Sequence, residues 1–304
     1  MIAIILSAFA PVFAVIAIGY SIRAAGWMPR PLWAGINTLN HRVLLPSFLF
    51  VAVVTADLSN PITLQLAGAS ALSTLSIAAI AILVSKLLGL SAGAGAAFCA
   101  TACQWNFVST FALTERLAGT DALVYSAIIL VPGLLIATTV TVASFTLANA
   151  ASTASAARKV LTDPLIIAGL SGLVLNPILP ETASPLLVPL EIIGAGSITV
   201  VLLAMGAGLD FGALKGKLIA LFSAAALRTI GGGAVALAIV LAFGFRGDIA
   251  IAFMIAAAAP AAAFIYAVAA DLKQEPELTA AMITLSVMFS AIITPIAAAI
   301  ALSL

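Results

Sequence analysis

The chain has 304 residues, of which 64% are hydrophobic and only 8% are charged, and its mean hydropathy is +1.28. Soluble domains contain about 25% charged residues, so the composition excludes a soluble protein and indicates helices that lie in a lipid bilayer. The formal net charge is +1 and the chain has no long basic tract, which excludes nucleic acid as a partner.

Apolar runs long enough to cross a bilayer follow one another along the chain. Turn and stop signals separate them, such as "WMPRP" after the first run and "FGFRGD" after the eighth. These signals predict ten spans, numbered 1 to 10 in chain order: residues 2–22, 33–56, 62–85, 92–115, 122–148, 163–180, 186–209, 214–243, 248–270 and 278–302. Span 1 lacks the basic segment of a cleaved signal peptide, so we expect it to be retained.

Lysine and arginine are distributed unevenly over the connections between these spans. The even connections hold only Arg116 and Arg246, whereas the odd connections hold Arg23, Arg30, Lys86, Arg158, Lys159, Lys215, Lys217 and Lys273. Because positively charged loops stay on the cytoplasmic side, the odd connections are predicted to face the cytoplasm. Both termini then lie on the non-cytoplasmic side of the membrane.

The two halves of the chain share a weak positional similarity. "DALVYSAI" from Asp121 opens span 5, and "PELTAAMI" from Pro276 opens span 10. The separation between Asp121 and Pro276, added to the position of Trp105, gives Pro260. The pattern predicts an all-α membrane protein of two inverted five-helix repeats, residues 1–150 and 160–304. Secondary transporters are often built in this way, with the substrate site at broken helices near the midplane.

Spans 4 and 9 each carry a signal for a helix break. Pro260 removes a backbone donor halfway through span 9, and the polar run "CQWNFVST" (103–110) lies at the matching depth of span 4. Amide side chains can satisfy the backbone groups that such a break frees inside a membrane. Two broken, crossing helices would also direct partly positive half-helix N-termini at one point, which suits an anionic ligand.

Several polar residues near these breaks have two interpretations. Asn106 and Gln104 either hold neighbouring helices together by hydrogen bonds or contact the ligand. Trp105 either packs or stacks on the ligand, and the Tyr266 hydroxyl needs a partner. The candidate substrate-binding set is Gln104, Trp105, Asn106, Ser109, Pro260, Tyr266 and Arg228.

Arg228 lies in the middle of span 8, where an unpaired guanidinium in lipid would be costly. At about 1.5 Å of rise per residue, Arg228 and Glu191 of span 7 lie ~21 Å and ~27 Å from the cytoplasmic end of their spans. Depth therefore allows an ion pair between them. Attraction of an anionic substrate by Arg228 and a partner elsewhere in the protein are the alternatives.

Four segments in this order resemble the auxin efflux carrier family: "VLLPSFLFVAV" (43–53), "DPLIIAGLSGLVLN" (163–176), "LLAMGAGLDFGAL" (202–214) and "APAAAFIYAVAADLKQEPELTAAMITLSVMFSAIITPI" (259–296). The resemblance extends over nearly the whole chain. The family includes bacterial permeases for malonate- and malate-like acids. It implies that spans 4 and 9 cross and that spans 1, 2, 6 and 7 form a scaffold. Spans 3–5 and 8–10 would form an elevator-like transport domain. Asn106 and Pro260 match the family's crossing asparagine and proline.

The favoured function is therefore a secondary transporter of small organic anions, such as carboxylates or auxin-like acids, in a bacterial inner membrane. A sodium-coupled symporter of the bile-acid-symporter-like fold, a channel and a receptor are alternatives. Cys99, Cys103 and His41 do not form a metal-ligand set, so we expect no metal, no cofactor and no enzymatic activity. A homodimer through the scaffold spans is a further expectation.

Overall fold

The computed structural model describes residues 2–56, 58, 61–148, 154, 158, 160–179, 184–214 and 217–304. Its helices are α1 (Ile2–Ala24), α2 (Arg30–Leu39), α3 (Leu45–Val54), α4 (Pro61–Leu87), α5 (Ala92–Cys103), α6 (Phe107–Ala118), α7 (Leu123–Ala148), α8 (Pro164–Leu175), α9 (Ser184–Gly208), α10 (Leu218–Ala226), α11 (Gly232–Phe243), α12 (Gly247–Ala258), α13 (Phe264–Asp271) and α14 (Pro276–Leu302). Two single π-helical turns, Asn40–Leu44 and Leu227–Gly231, join α2 to α3 and α10 to α11.

Within the described ranges, seven helical stretches are long and apolar enough to cross a membrane: Ser7–Ala24, Gly35–Val54, Pro61–Leu87, Thr120–Ala148, Pro185–Gly208, Leu218–Phe243 and Pro276–Leu302. Helices α5, α8 and α12 are apolar but shorter. The chain is therefore a multi-pass, helical membrane protein. The ten-span inverted repeat and the side of each terminus stay predictions, and the connection between the predicted repeats lies largely outside the described residues.

The helices of spans 1, 2, 6 and 7 pack mainly on one another. Helix α1 lies along α9, and α3 lies between α8 and α9. Glycines permit the closest of these contacts, because a Cβ on Gly206 would lie 1.8 Å from the Ile16 carbonyl oxygen and one on Gly19 2.0 Å from that of Leu203. Close backbone approach through small residues is how membrane helices associate without a hydrophobic driving force between them.

The helices of spans 3, 4, 5, 8, 9 and 10 form a second set. Helix α4 packs on α5 and α7, α12 packs on α11 and α14, and α10 packs on α14. Phe98, Phe145 and Phe253 are among the largest fully buried side chains, and all three belong to this set. Helices α1 and α9 also contact α6 of this second set, and the division of the chain into a scaffold and a transport domain stays a prediction.

Candidate functional site

Span 4 is interrupted at Gln104–Asn106. Helix α5 ends at Cys103 and α6 begins at Phe107, and Gln104 and Asn106 have extended backbones. The Asn106 side-chain oxygen accepts a hydrogen bond from the Ser109 backbone N–H at 3.0 Å, which caps α6. The Ser109 hydroxyl donates back to the Asn106 carbonyl at 2.8 Å. Asparagine is among the best N-cap residues, so this residue starts the second half-helix.

Span 9 is interrupted at the matching place. Helix α12 ends at Ala258 and α13 begins at Phe264, with Pro260 between them. Ala259 has an extended backbone, with φ −61° and ψ 154°, as expected for a residue that precedes proline. The sequence prediction that spans 4 and 9 are both broken is therefore confirmed.

The two interruptions are hydrogen-bonded to each other. Asn106 N–H donates to the Pro260 carbonyl at 2.7 Å, and Ala262 N–H donates to the Gln104 carbonyl at 3.0 Å. Trp105 and Ala261 form an antiparallel bridge between these bonds. Non-helical backbone in a membrane must be satisfied within the protein, and here each break supplies partners for the other.

Serine and threonine hydroxyls form hydrogen bonds with further backbone groups at the break in span 9. Ser286 Oγ accepts from Ala261 N–H at 3.0 Å, and Thr294 donates to the Ala258 carbonyl at 2.7 Å. The Gln104 amide donates to the Thr138 hydroxyl at 3.1 Å rather than to freed backbone. The expectation that amide side chains satisfy freed backbone groups is therefore confirmed for Asn106, which caps α6, and wrong for Gln104, whose side chain bonds to Thr138.

Among the described residues, a cavity lies on each side of the paired breaks. The amino-end cavity lies where α6 and α13 begin and is lined by Asn37, Asn40, His41, Leu45, Asn106, Phe107, Val108, Val201, Ala262, Ala263 and Phe264. Its lining therefore comes from both helix sets. Because two half-helices begin at this cavity, their partial positive charges favour an anion there.

The carboxyl-end cavity lies where α5 and α12 end and is lined by Ser70, Ser73, Thr74, Ile77, Cys103, Trp105, Ile129, Arg228, Phe253, Ala256 and Ala257. All of these residues belong to the second helix set. Helix C-termini carry partial negative charge, so the helix ends at this cavity favour a cation.

Arg228 supplies that positive charge. It is 3% exposed; its Nη1 donates to the Ala102 carbonyl at 2.8 Å and to the Cys103 carbonyl at 3.4 Å, and its Nη2 donates to the Ala257 carbonyl. Its Cζ lies 6.0 Å from the Trp105 ring centroid, within the range of a cation–π interaction.

The predicted ion pair between Arg228 and Glu191 is wrong. Glu191 is exposed on α9, and the hydrogen-bond acceptors of Arg228 are backbone carbonyls of α5 and α12. Counting residues along a helix gives the depth of a side chain but not the direction in which it points. The carbonyls at the end of a helix lack intrahelical partners, and that made them available to the guanidinium.

His41 is a residue at the amino-end cavity that the sequence interpretation set aside. Its Nε2 lies 3.2 Å from Asp163 Oδ2, and its ring is stacked on Phe264 with centroids 5.1 Å apart. Its Nδ1 is buried and has no hydrogen-bond partner among the described residues. The polar run "NTLNHR" (37–42) in an otherwise apolar span was the available signal.

The structure divides the predicted substrate-binding set. Asn106 lines the amino-end cavity, with Ser109 bonded to it, whereas Trp105 and Arg228 line the carboxyl-end cavity. Gln104 and Pro260 join the two breaks through their backbone carbonyls. Tyr266 is 47% exposed and lines neither of these cavities.

One comparison with known proteins gives a match. Residues 148–298 match a family model described as membrane transport protein. No curated protein matches the chain significantly. The matched range includes Arg228 and the break in span 9 but not the break in span 4, so it is narrower than the nearly end-to-end resemblance seen in the sequence.

Proposed function

Because the chain belongs, through residues 148–298, to the membrane transport protein family that includes the auxin efflux carriers, we propose that it is a secondary transporter of small organic anions. The amino-end cavity is the proposed substrate site. The observation that carries the proposal is that α6 and α13 both begin at this cavity, where their N-termini attract negative charge.

The donors at the cavity support a carboxylate as the recognised group. The Asn106 side-chain N–H donates only weakly, to the Met205 sulfur at 4.0 Å, because a thioether is a poor acceptor. A ligand oxygen would be a much better partner for it. His41 adds a second polar group from the first helix set, since its Nδ1 lacks a partner among the described residues.

We further propose an elevator-type mechanism, with spans 1, 2, 6 and 7 as the scaffold and spans 3–5 and 8–10 as the transport domain. Packing within each set supports this division. The contact between the sets includes apolar side chains, such as Phe48 against Phe111 with ring centroids 4.9 Å apart. Contacts of this kind have no fixed hydrogen-bond register and can slide, as shear motions require.

The substrate would travel with the transport domain because the breaks hold its binding groups. Asn106 belongs to span 4 and Ala263 to span 9, whereas His41 belongs to the scaffold. Movement of the transport domain would separate Asn106 from His41 and so change the cavity while the half-helix N-termini stay together. That arrangement provides two accessible states for one site, which alternating access needs.

Counterflow in proteoliposomes tests the proposal. Vesicles loaded with unlabelled malonate, malate or an aromatic acid are diluted into a trace of the same labelled acid. We expect transient accumulation of label with at least one of these acids, because a carrier exchanges substrate across the membrane. Equilibration without accumulation would identify a channel, and absence of flux with every acid would contradict organic-anion transport.

A further inference from the structure

The carboxyl-end cavity contains two helix C-termini and one buried cation. Helices α5 and α12 end there, and each C-terminus carries about half a negative elementary charge. Together they amount to about one negative charge, which one guanidinium balances. Among the described residues, no carboxylate forms an ion pair with Arg228.

The hydrogen bonds of Arg228 join the two half-helices. One terminal nitrogen donates to Ala102 and Cys103 at the end of α5, and the other donates to Ala257 near the end of α12. Arg228 is therefore bound in the way that a metal cation would be, by carbonyl oxygens from two interrupted helices. In transporters with broken helices, such carbonyls and half-helix C-termini coordinate the coupling ion.

The local backbone is built around this contact. Arg228 lies in the π-helical turn Leu227–Gly231, a feature that occurs frequently at functional sites. Gly232 directly follows this turn. A Cβ on Gly232 would lie 2.2 Å from the Ala257 carbonyl oxygen and 2.8 Å from Arg228 Nη2. Only glycine leaves room for the guanidinium and for the close approach of α11 to α12.

We propose that Arg228 is a covalently attached substitute for a coupling cation, so that transport needs no Na⁺ and the carboxyl-end cavity takes no ion while Arg228 is present. The inference rests on the proposed transport function. Removal of the guanidinium leaves a carbonyl site at two helix C-termini, whose charge and ligand type suit Na⁺.

Thermal unfolding of the purified protein in detergent tests the cavity without any transport assay. The wild type, Arg228→Ala and the control Arg246→Ala are each heated in sodium chloride and in choline chloride at about 100 mM, a concentration at which a weakly bound ion raises the Tm measurably. Arg246 is a suitable control, because it donates only to the carbonyl of its neighbour Phe245 among the described hydrogen bonds.

We expect sodium to raise the Tm of Arg228→Ala by several degrees relative to choline, while the Tm of the wild type and of Arg246→Ala stays the same in both salts. A sodium-dependent Tm of the wild type would overturn the proposal. So would an Arg228→Ala variant that responds to the anion, tested with sodium gluconate, because the cavity would then be an anion site. An Arg228→Ala variant whose Tm is the same in both salts would also overturn it.

Uptake into proteoliposomes of the labelled acid that shows counterflow, measured in the same two salts, provides the second readout. Wild-type uptake should be equal in sodium and choline, and Arg228→Ala should lose about tenfold in choline and recover part of this loss in sodium. If Arg228→Ala does not fold, Arg228→Lys serves instead, because an ammonium keeps the charge and should retain sodium-independent uptake. Sodium-dependent uptake by the wild type would overturn the proposal even if organic-anion transport itself is correct.

Discussion

The two cavities flanking the paired breaks are opposite in charge and similar in construction. Each receives the ends of two half-helices, and each adjoins a π-helical turn, Asn40–Leu44 on one side and Leu227–Gly231 on the other. At the carboxyl-end cavity the protein provides the compensating charge itself, through Arg228. At the amino-end cavity the partial positive charges have no carboxylate among the lining residues.

This difference shows that paired half-helix ends can form either a site that the protein fills with its own side chain or a site that is open to a ligand. The carboxyl-end cavity is lined by one helix set and holds its own counter-charge, Arg228, which joins the ends of α5 and α12. The amino-end cavity is lined by both sets and lacks a counter-charge among its lining residues, so an anion from solution would complete it.

Asn106→Asp should produce the largest loss. Aspartate caps α6 as well as asparagine does, but its carboxylate would repel an anion in the amino-end cavity. We expect initial uptake to fall about a hundredfold at neutral pH, equivalent to ~2.7 kcal/mol. Asn106→Ser is the matched control, because it keeps the cap without the charge and should lose less. Normal uptake by Asn106→Asp would place the anion elsewhere.

Gly232→Ala should be the most destabilising change at the carboxyl-end cavity. The new methyl would collide with the Ala257 carbonyl, a backbone atom that cannot move aside cheaply. We expect a loss of about 1–3 kcal/mol, typical of overpacking, seen as a lower Tm in detergent. Gly233→Ala is the control, since the nearest atom to its Cβ would be Ala258 Cβ at 3.9 Å. Equal Tm values for the two variants would contradict the close packing around Arg228.

Trp105→Leu should lower stability without changing substrate affinity. The indole packs so closely on α7 that a Cβ on Gly133 would lie 2.0 Å from Trp105 Cη2, and it faces Arg228 rather than the amino-end cavity. Loss of this packing should cost on the order of 2 kcal/mol, while the KM for uptake stays the same. A severalfold rise in KM would show that Trp105 contacts the substrate after all.

His41→Gln should have the smallest effect. Glutamine can still bond to Asp163, so the scaffold contact is kept, but the unpartnered Nδ1 is lost. We expect the KM to rise about fivefold, the equivalent of about 1 kcal/mol for one hydrogen bond, with maximal uptake nearly unchanged. An unchanged KM would remove His41 from the proposed substrate site.

The breaks in spans 4 and 9 could be predicted because their causes are local. Pro260 removes a backbone donor from its own span and so favours a break there, and Asn106 is a strong N-cap residue within a polar run. Their mutual pairing was not visible, because it depends on two segments separated by about half of the chain. The predicted set of site residues therefore mixed both cavities, although Asn106 and Arg228 lie on opposite sides of the paired backbones.

The environments of Arg228 and His41 could not be predicted for a different reason. Each lies in a π-helical turn, which shifts the faces of the helix relative to a regular 3.6-residue repeat. The direction of a side chain after such a turn cannot be counted from the helix start. In addition, the acceptors of Arg228 are backbone carbonyls, which every residue has and which no sequence motif marks.

The position of a bound anion would test the central claim most directly. Crystals soaked with a bromine-substituted carboxylic acid, measured at the bromine absorption edge, would locate the halogen by its anomalous signal. We expect a peak in the amino-end cavity, among Asn106, His41 and the first residues of α6 and α13. A peak in the carboxyl-end cavity beside Arg228, with none in the amino-end cavity, would contradict it.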